Sequence, residues 1–200
     1  MSEREEPVRL AIFISGRGSN MKTLVEACLS EDVGAKPVLV LSNTYAAAGL
    51  EWATERGLPI AAIDHRAYGD DREAFEKDVH ETLDLHNVEF IALAGFMRIL
   101  TPWFIEKWEG RMINIHPSLL PKYPGLHTHK RAIEAGDKEA GCSVHWVTEG
   151  VDEGAVIDQE RVPVEPGDTP DTLAERVLSR EHVLYPRALA SAIETYLSSS

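Results

Sequence analysis

The sequence predicts a three-layer α/β/α protein with a mostly parallel central sheet and an antiparallel extension near the C-terminal part. Three observations carry this reading. Apolar, β-rich runs alternate with amphipathic helical periodicity as far as Ile115. A glycine turn links the first run to the first helix. After Cys142, two β-like runs follow one another with no helix between them.

Val8 to Ile14 is mostly apolar, as in a strand covered on both faces. The turn Gly16-Arg17-Gly18 leads to Ser19 or Asn20, either of which suits a helix cap, and the helix carries Met21, Leu24, Val25, Cys28 and Leu29 on one side. Pro37 to Leu41 reads as a second buried strand. A helix through Glu51 stops near Gly57, before a short strand around Ile60 to Ile63. Asp71 to Asn87 has helical spacing, with Phe75, Val79 and Leu83 on one face. Glu89 to Leu93 and Met112 to Ile115 are further strands, and Trp103 and Trp108 between them read as helix packing. Ser143 to Thr148 and Ala155 to Val164 form the antiparallel addition. Thr169-Pro170 opens a helix, and a last amphipathic helix ends near Leu197. This order is Rossmann-like. Ligands in such sheets gather at the carboxyl ends of the strands, so chemistry is expected in the loops after residues 14, 93 and 115.

Composition bounds the function. The 200 residues suit one domain, and 44% hydrophobic with 26% charged residues is the mix of a soluble globular protein. A net charge of −13 disfavours nucleic-acid binding, which depends on neutralising phosphates. The longest apolar run, Phe90 to Met97, is far short of a membrane span, and the start MSEREEPVRL lacks a signal-peptide core. Cys28 and Cys142 fit neither a disulfide framework nor a CxxC metal site, so a cytoplasmic location is expected.

Three segments can carry chemistry. Ser15-Gly16-Arg17-Gly18-Ser19-Asn20 joins a strand to a helix start, where glycines admit close approach and open N–H groups attract an anion. Met21 stands where a dinucleotide fingerprint needs its third glycine, and there is no Gly-Lys-Ser/Thr of a P-loop. What remains is a site for one phosphate, or a plain tight turn. Asn114-Ile115-His116 puts an amide and an imidazole on one face of a strand at its carboxyl end, suited to an oxyanion and a proton. No carboxylate occurs from Met112 through Ile133, whereas Arg111, Lys122, Lys130 and Arg131 are basic. Asp152, in the loop Thr148 to Gly154, would raise the pKa of His116 if the two meet. His127 and His129 lack convincing further ligands, so no metal is expected.

Taken together, the segments Ile14–Asn20, Ala94–Leu100, Asn114–Gly125 and Gly141–His145 with Asp152 resemble the folate-dependent formyltransferases. Within them the match is to the branch whose acceptor is 5′-phosphoribosylglycinamide, in purine synthesis. The resemblance runs from about Val8 to the last helix; the length and the residues at the two ends suggest one domain over residues 1–200 with frayed tails of about 1–7 and 198–200. Relatives acting on methionyl-tRNA carry a further C-terminal domain, for which this length leaves no space. Hydrolases of the folate carry an N-terminal regulatory domain and lack the Gly-x-Gly-Ser-Asn loop.

The resemblance assigns Asn114, His116 and Asp152 to catalysis. It assigns Gly18, Ser19 and Asn20 to the substrate phosphate and Glu181 to the ribose hydroxyls. Met97, Arg98, Ile99, Leu100, Asn114 and Val147 would line the 10-formyltetrahydrofolate pocket, with Arg72 at the folate's glutamate tail. Two positions depart from the pattern: Arg17, where some relatives carry Asn, and Gly150, where they often carry an acid. The implied partners are two small molecules, with no nucleic acid, no membrane and no metal, acting as a monomer or homodimer. Competing expectations are hydrolysis of formyltetrahydrofolate, a non-catalytic nucleotide-binding module and, third, nicotinamide-dependent oxidoreduction.

Overall fold

The computed structural model describes residues 6–30 and 33–199. Seven strands form one sheet: β1 (Val8–Ile14), β2 (Ala35–Ser42), β3 (Ile60–Ala62), β4 (Phe90–Leu93), β5 (Met112–His116), β6 (Glu139–Trp146) and β7 (Val156–Pro163), in the order β3-β2-β1-β4-β5-β6-β7. The first five are parallel, whereas β6 runs antiparallel to β5 and β7 to β6. Six α-helices accompany them: α1 (Ser19–Leu29), α2 (Ala48–Glu55), α3 (Arg72–Leu85), α4 (Pro102–Lys107), α5 (Thr128–Glu134) and α6 (Pro170–Ser199). The predicted mostly parallel sheet with its antiparallel extension is the observed one.

Strand alternation sorts the core into two halves. Leu10, Ile12 and Ile14 of β1 face Met21 and Leu24 of α1, Leu50 of α2 and Leu184, Leu189 and Ile193 of α6. Ala11 and Phe13 face the other way, toward Phe75, Val79 and Leu83 of α3, Phe104 of α4 and Trp108. Both faces of the central strands are therefore covered, the reason they read as continuous apolar runs.

Several boundaries differ from the sequence reading. Pro37 lies within β2 rather than at its start, and the register against β1 slips where Leu10 meets Pro37 and Ala11 meets Leu39; a proline has no N–H for the ladder. β6 begins at Glu139 because its first residues pair with β7 beyond the end of β5. Neither Ser19 nor Asn20 caps α1: the N-cap is Gly18 in a left-handed conformation, and the Asn20 side chain is engaged elsewhere. The expected pair of C-terminal helices is one 30-residue helix that continues through Pro186. Ser198 and Ser199 of the expected frayed tail 198–200 lie in this helix, while Ser200 and residues 1–5 of the expected tail 1–7 lie outside the described residues. Among the described residues no helix is long and apolar enough to cross a membrane.

Candidate active site

The carboxyl ends of β1, β4 and β5 lie side by side, so the turn after β1 and the end of β5 are two strand spacings apart, roughly 10 Å. At the first, Gly18 has φ 69°, and a Cβ there would meet Met21 Cε at 2.8 Å. The first N–H groups of any helix lack intrahelical partners, and here no side chain caps them. Behind them Asn20 donates from Nδ2 to Glu181 Oε2 of α6 at 2.6 Å, while Asn20 Oδ1 is buried without a partner. Burial raises the Glu181 pKa above 4.5, and the Asn20 hydrogen bond offsets only part of the rise.

At the second, Asn114 and His116 lie on one face of β5, as alternation requires. The loop after β6 returns Asp152 to them, with its backbone in the left-handed region at φ 56°. Its Oδ2 lies 3.2 Å from His116 Nδ1 and accepts the Gly125 N–H at 2.8 Å. Its Oδ1 lies 3.4 Å from His145 Nε2. His116 Nε2 reaches the Tyr123 carbonyl at 2.9 Å, which ties the segment after Pro117 over the strand end.

Electrostatics here depart from the sequence reading in one respect. Asp152 was expected to raise the His116 pKa. Burial lowers it, and the opposing pulls of the Tyr123 carbonyl and the Asp152 carboxylate do not restore it. Asp152 is itself buried, which favours its neutral form. Hydrogen bonds from His145 and the Gly125 N–H, with the nearby imidazoles, outweigh that and leave its pKa below 3.8. The pair at rest is a carboxylate beside a ring inclined to be neutral, with an acceptor waiting at each ring nitrogen.

The formyl transferase family profile matches residues 8–189, a span that contains both strand ends, Asp152 and Glu181. The chain belongs to the formyl transferase family. It is 43% identical over 183 residues to phosphoribosylglycinamide formyltransferase from Escherichia coli (strain K12), a match covering 92% of this chain and 86% of that one. It is 50% identical to the trifunctional purine biosynthetic protein adenosine-3 of Drosophila pseudoobscura pseudoobscura over 91% of this chain, yet spans only 13% of that protein's length. A crystal structure of phosphoribosylglycinamide formyltransferase from Brucella melitensis superposes with a TM-score of 0.89 at 47% identity, covering 94% of this chain and 96% of that one.

In this member of the family the third group of predicted residues occupies the segment after β4 and its surroundings. Met97 and Ile99 are exposed, whereas Leu100 is buried in the core of the α3 face. Arg72, the first residue of α3, reaches the Ile99 carbonyl with Nη1 at 3.5 Å, so it does meet this segment. Val147, just beyond β6, packs against the same apolar cluster as Leu100. Two anchors were invisible in the sequence. Glu76, buried on α3, accepts from the Thr101 N–H and hydroxyl and fixes the end of the segment. Ser15 accepts the Met97 N–H at 2.8 Å and donates to Asn43 Oδ1 at 2.6 Å, tying the glycine turn to the same segment. His145 was also missed as a site residue. Its only signal was membership of Gly141–His145, because the pairing of Asn114 with His145 across β5 and β6 is tertiary. Among the described residues no group of three or more His, Cys, Asp or Glu could hold a metal, and His127 and His129 form no such cluster with His116.

Proposed function

We propose that this chain transfers the formyl group of 10-formyltetrahydrofolate to the amine of 5′-phosphoribosylglycinamide in purine biosynthesis, giving the formylated glycinamide and tetrahydrofolate. The observation that carries the reading is the convergence of Asn114, His116 and Asp152 at the end of β5, two strands from an open helix start.

In this reading the N–H groups at Gly18, Ser19 and Asn20 take the phosphate, where the helix dipole and open donors favour an anion. Glu181 takes the ribose hydroxyls, and its hydrogen bond from Asn20 Nδ2 ties it to the same turn. Met97, Arg98, Ile99, Leu100 and Val147 enclose the folate's ring system: the exposed Met97 and Ile99 offer apolar contact and Leu100 backs them from the core. Arg72 meets the carboxylates of the glutamate tail.

The unprotonated amine attacks the formyl carbon, and Asn114 with His116 stabilises the oxyanion of the tetrahedral intermediate. The attacking nitrogen must lose a proton and the leaving N10 must gain one. A neutral His116 can take the first and deliver the second, directly or through a water. Nδ1 faces Asp152, which leaves Nε2, now on the Tyr123 carbonyl, as the ring atom to exchange for substrate. Asp152 orients the ring and stabilises its charge once the proton arrives. Holding both substrates together removes much of the entropic barrier, with effective molarities of about 10⁵ M or more in well-oriented cases.

The test is to follow loss of the formyl group by absorbance with purified protein and 10-formyltetrahydrofolate, with and without glycinamide ribonucleotide. Loss only with the ribonucleotide supports the transfer. Equal loss without it makes water the acceptor and the chain a hydrolase, and no loss in either case refutes both.

A further inference from the structure

Ser15 stands between the two substrate sites of the proposed reaction, and the mechanism gives it no part. It follows the last residue of β1, where the order β2-β1-β4 sets the end of β1 between two other strand ends. Its backbone N–H donates to the Gly95 carbonyl at 3.2 Å. Its side chain reaches both ways. A backbone N–H can only donate, so the Met97 N–H, at 2.8 Å, makes Ser15 Oγ an acceptor and leaves the hydroxyl hydrogen for another partner. That partner is Oδ1 of the buried Asn43, just past the end of β2, at 2.6 Å. With its hydrogen held there, the hydroxyl turns a lone pair to Met97.

Each site also has anchors that Ser15 does not share. In the glycine turn the Gly16 carbonyl accepts the Gly49 N–H at 3.0 Å, and the Gly18 carbonyl accepts the Lys22 N–H at 2.9 Å. The segment carrying Met97 is held further along, by Arg72 at the Ile99 carbonyl and by Glu76 at Thr101. Those bonds shape each site, and the Ser15 hydroxyl fixes one against the other. Resting on the reading of the turn as the phosphate site and of Met97 to Leu100 as the folate site, we propose that Ser15 is a positioning residue for the transfer. Its hydroxyl, oriented by Asn43, sets the distance between the two bound substrates, and so between the attacking amine and the formyl carbon. A misplacement of about 1 Å between reacting atoms can cost on the order of 10²-fold in rate while each substrate keeps its own contacts. The signature is a fall in kcat with little change in either KM.

Two measurements test this. In the free protein, hydrogen exchange at the Met97 amide should be about tenfold faster in Ser15→Ala than in wild type, the effect of one lost hydrogen bond. The Ala94 amide, which donates to the Phe13 carbonyl at 2.8 Å, should exchange equally in both. An unchanged Met97 amide, or a speeding shared by Ala94, overturns the proposal whatever the reaction proves to be. In the transfer assay, Ser15→Ala should lower kcat on the order of tenfold, with KM for both substrates within about twofold. Ser15→Thr, which keeps the hydroxyl, should recover most of the rate. A wild-type kcat in Ser15→Ala overturns the proposal, as does a rise in one KM that accounts for the whole loss. So does a Ser15→Thr variant that protects the Met97 amide yet turns over no faster than Ser15→Ala. A wild-type chain with no ribonucleotide-dependent transfer refutes the function reading and the positioning role with it, whereas the other outcomes remove the positioning role alone.

Discussion

Asp152 Oδ2 stands 3.2 Å from His116 Nδ1 while accepting the Gly125 N–H at 2.8 Å, so one carboxylate oxygen joins the β5 end to two separate loops. Removing it should disturb charge more than shape. Asp152→Asn keeps a residue type that tolerates φ 56°, and should retain the fold while losing on the order of 10²-fold in transfer rate. Asn114→Ala and His116→Ala should each cost on the order of 10²-fold or more. Steady-state rates with circular dichroism as the folding control check all three. Wild-type turnover in His116→Ala would remove it from the mechanism.

Gly154 places the same carboxylate by a different route. A Cβ there would lie 1.7 Å from the Trp146 carbonyl oxygen, a backbone atom that has no room to move without shifting β6. Gly154→Ala should therefore displace the loop that carries Asp152. The expected result is a loss of kcat comparable to that of Asp152→Asn, with glycinamide ribonucleotide binding, measured by calorimetry, little changed.

The ionisation of the site gives a pH signature in stability. His116 has a folded pKa below 6.5, so the folded chain takes up this proton less readily than the unfolded one. Its contribution is present above 6.5 and is lost as pH falls through the lowered value. Asp152 acts in the same sense below 3.8. Between about pH 7 and about pH 4, wild-type protein should lose more stability to urea than His116→Gln, the other groups being common to both. An equal loss would show that burial does not penalise the protonated ring.

Glu181 has the opposite sign. Its pKa is raised above 4.5, so its contribution is present below 4.5 and is lost as pH rises through the folded value. At neutral pH the buried carboxylate is a cost, and Glu181→Gln should raise Tm there while keeping the Asn20 hydrogen bond. The same variant should raise KM for glycinamide ribonucleotide, since a neutral amide is a weaker acceptor for ribose hydroxyls. Scanning calorimetry and initial rates test the two halves separately.

Tyr185 anchors α6 to the sheet by donating its hydroxyl to the Leu93 carbonyl at 2.7 Å, with the side chain fully buried. Tyr185→Phe removes this buried hydrogen bond, at a cost of about 1–3 kcal/mol in urea unfolding. Because Leu93 ends β4 beside the segment carrying Met97, a rise in KM for the folate should accompany it.

Much of this was legible in the sequence because the physics is local. Apolar runs such as Val8–Ile14 mark strands covered on both faces, and the Phe75, Val79, Leu83 spacing marks α3. Alternation alone puts Asn114 and His116 on one face, and the glycine turn before Ser19 announces an open helix start. Tertiary structure decided the rest. Whether Asp152 reaches His116, that His145 opposes Asn114, that Asn20 turns to Glu181 instead of capping its own helix, and that burial outweighs a nearby carboxylate at His116 all depend on which loops the folded sheet brings together and how much water it leaves there. Distances between remote residues and the solvent around a charge are properties of the assembled packing, and no local pattern of side chains encodes them.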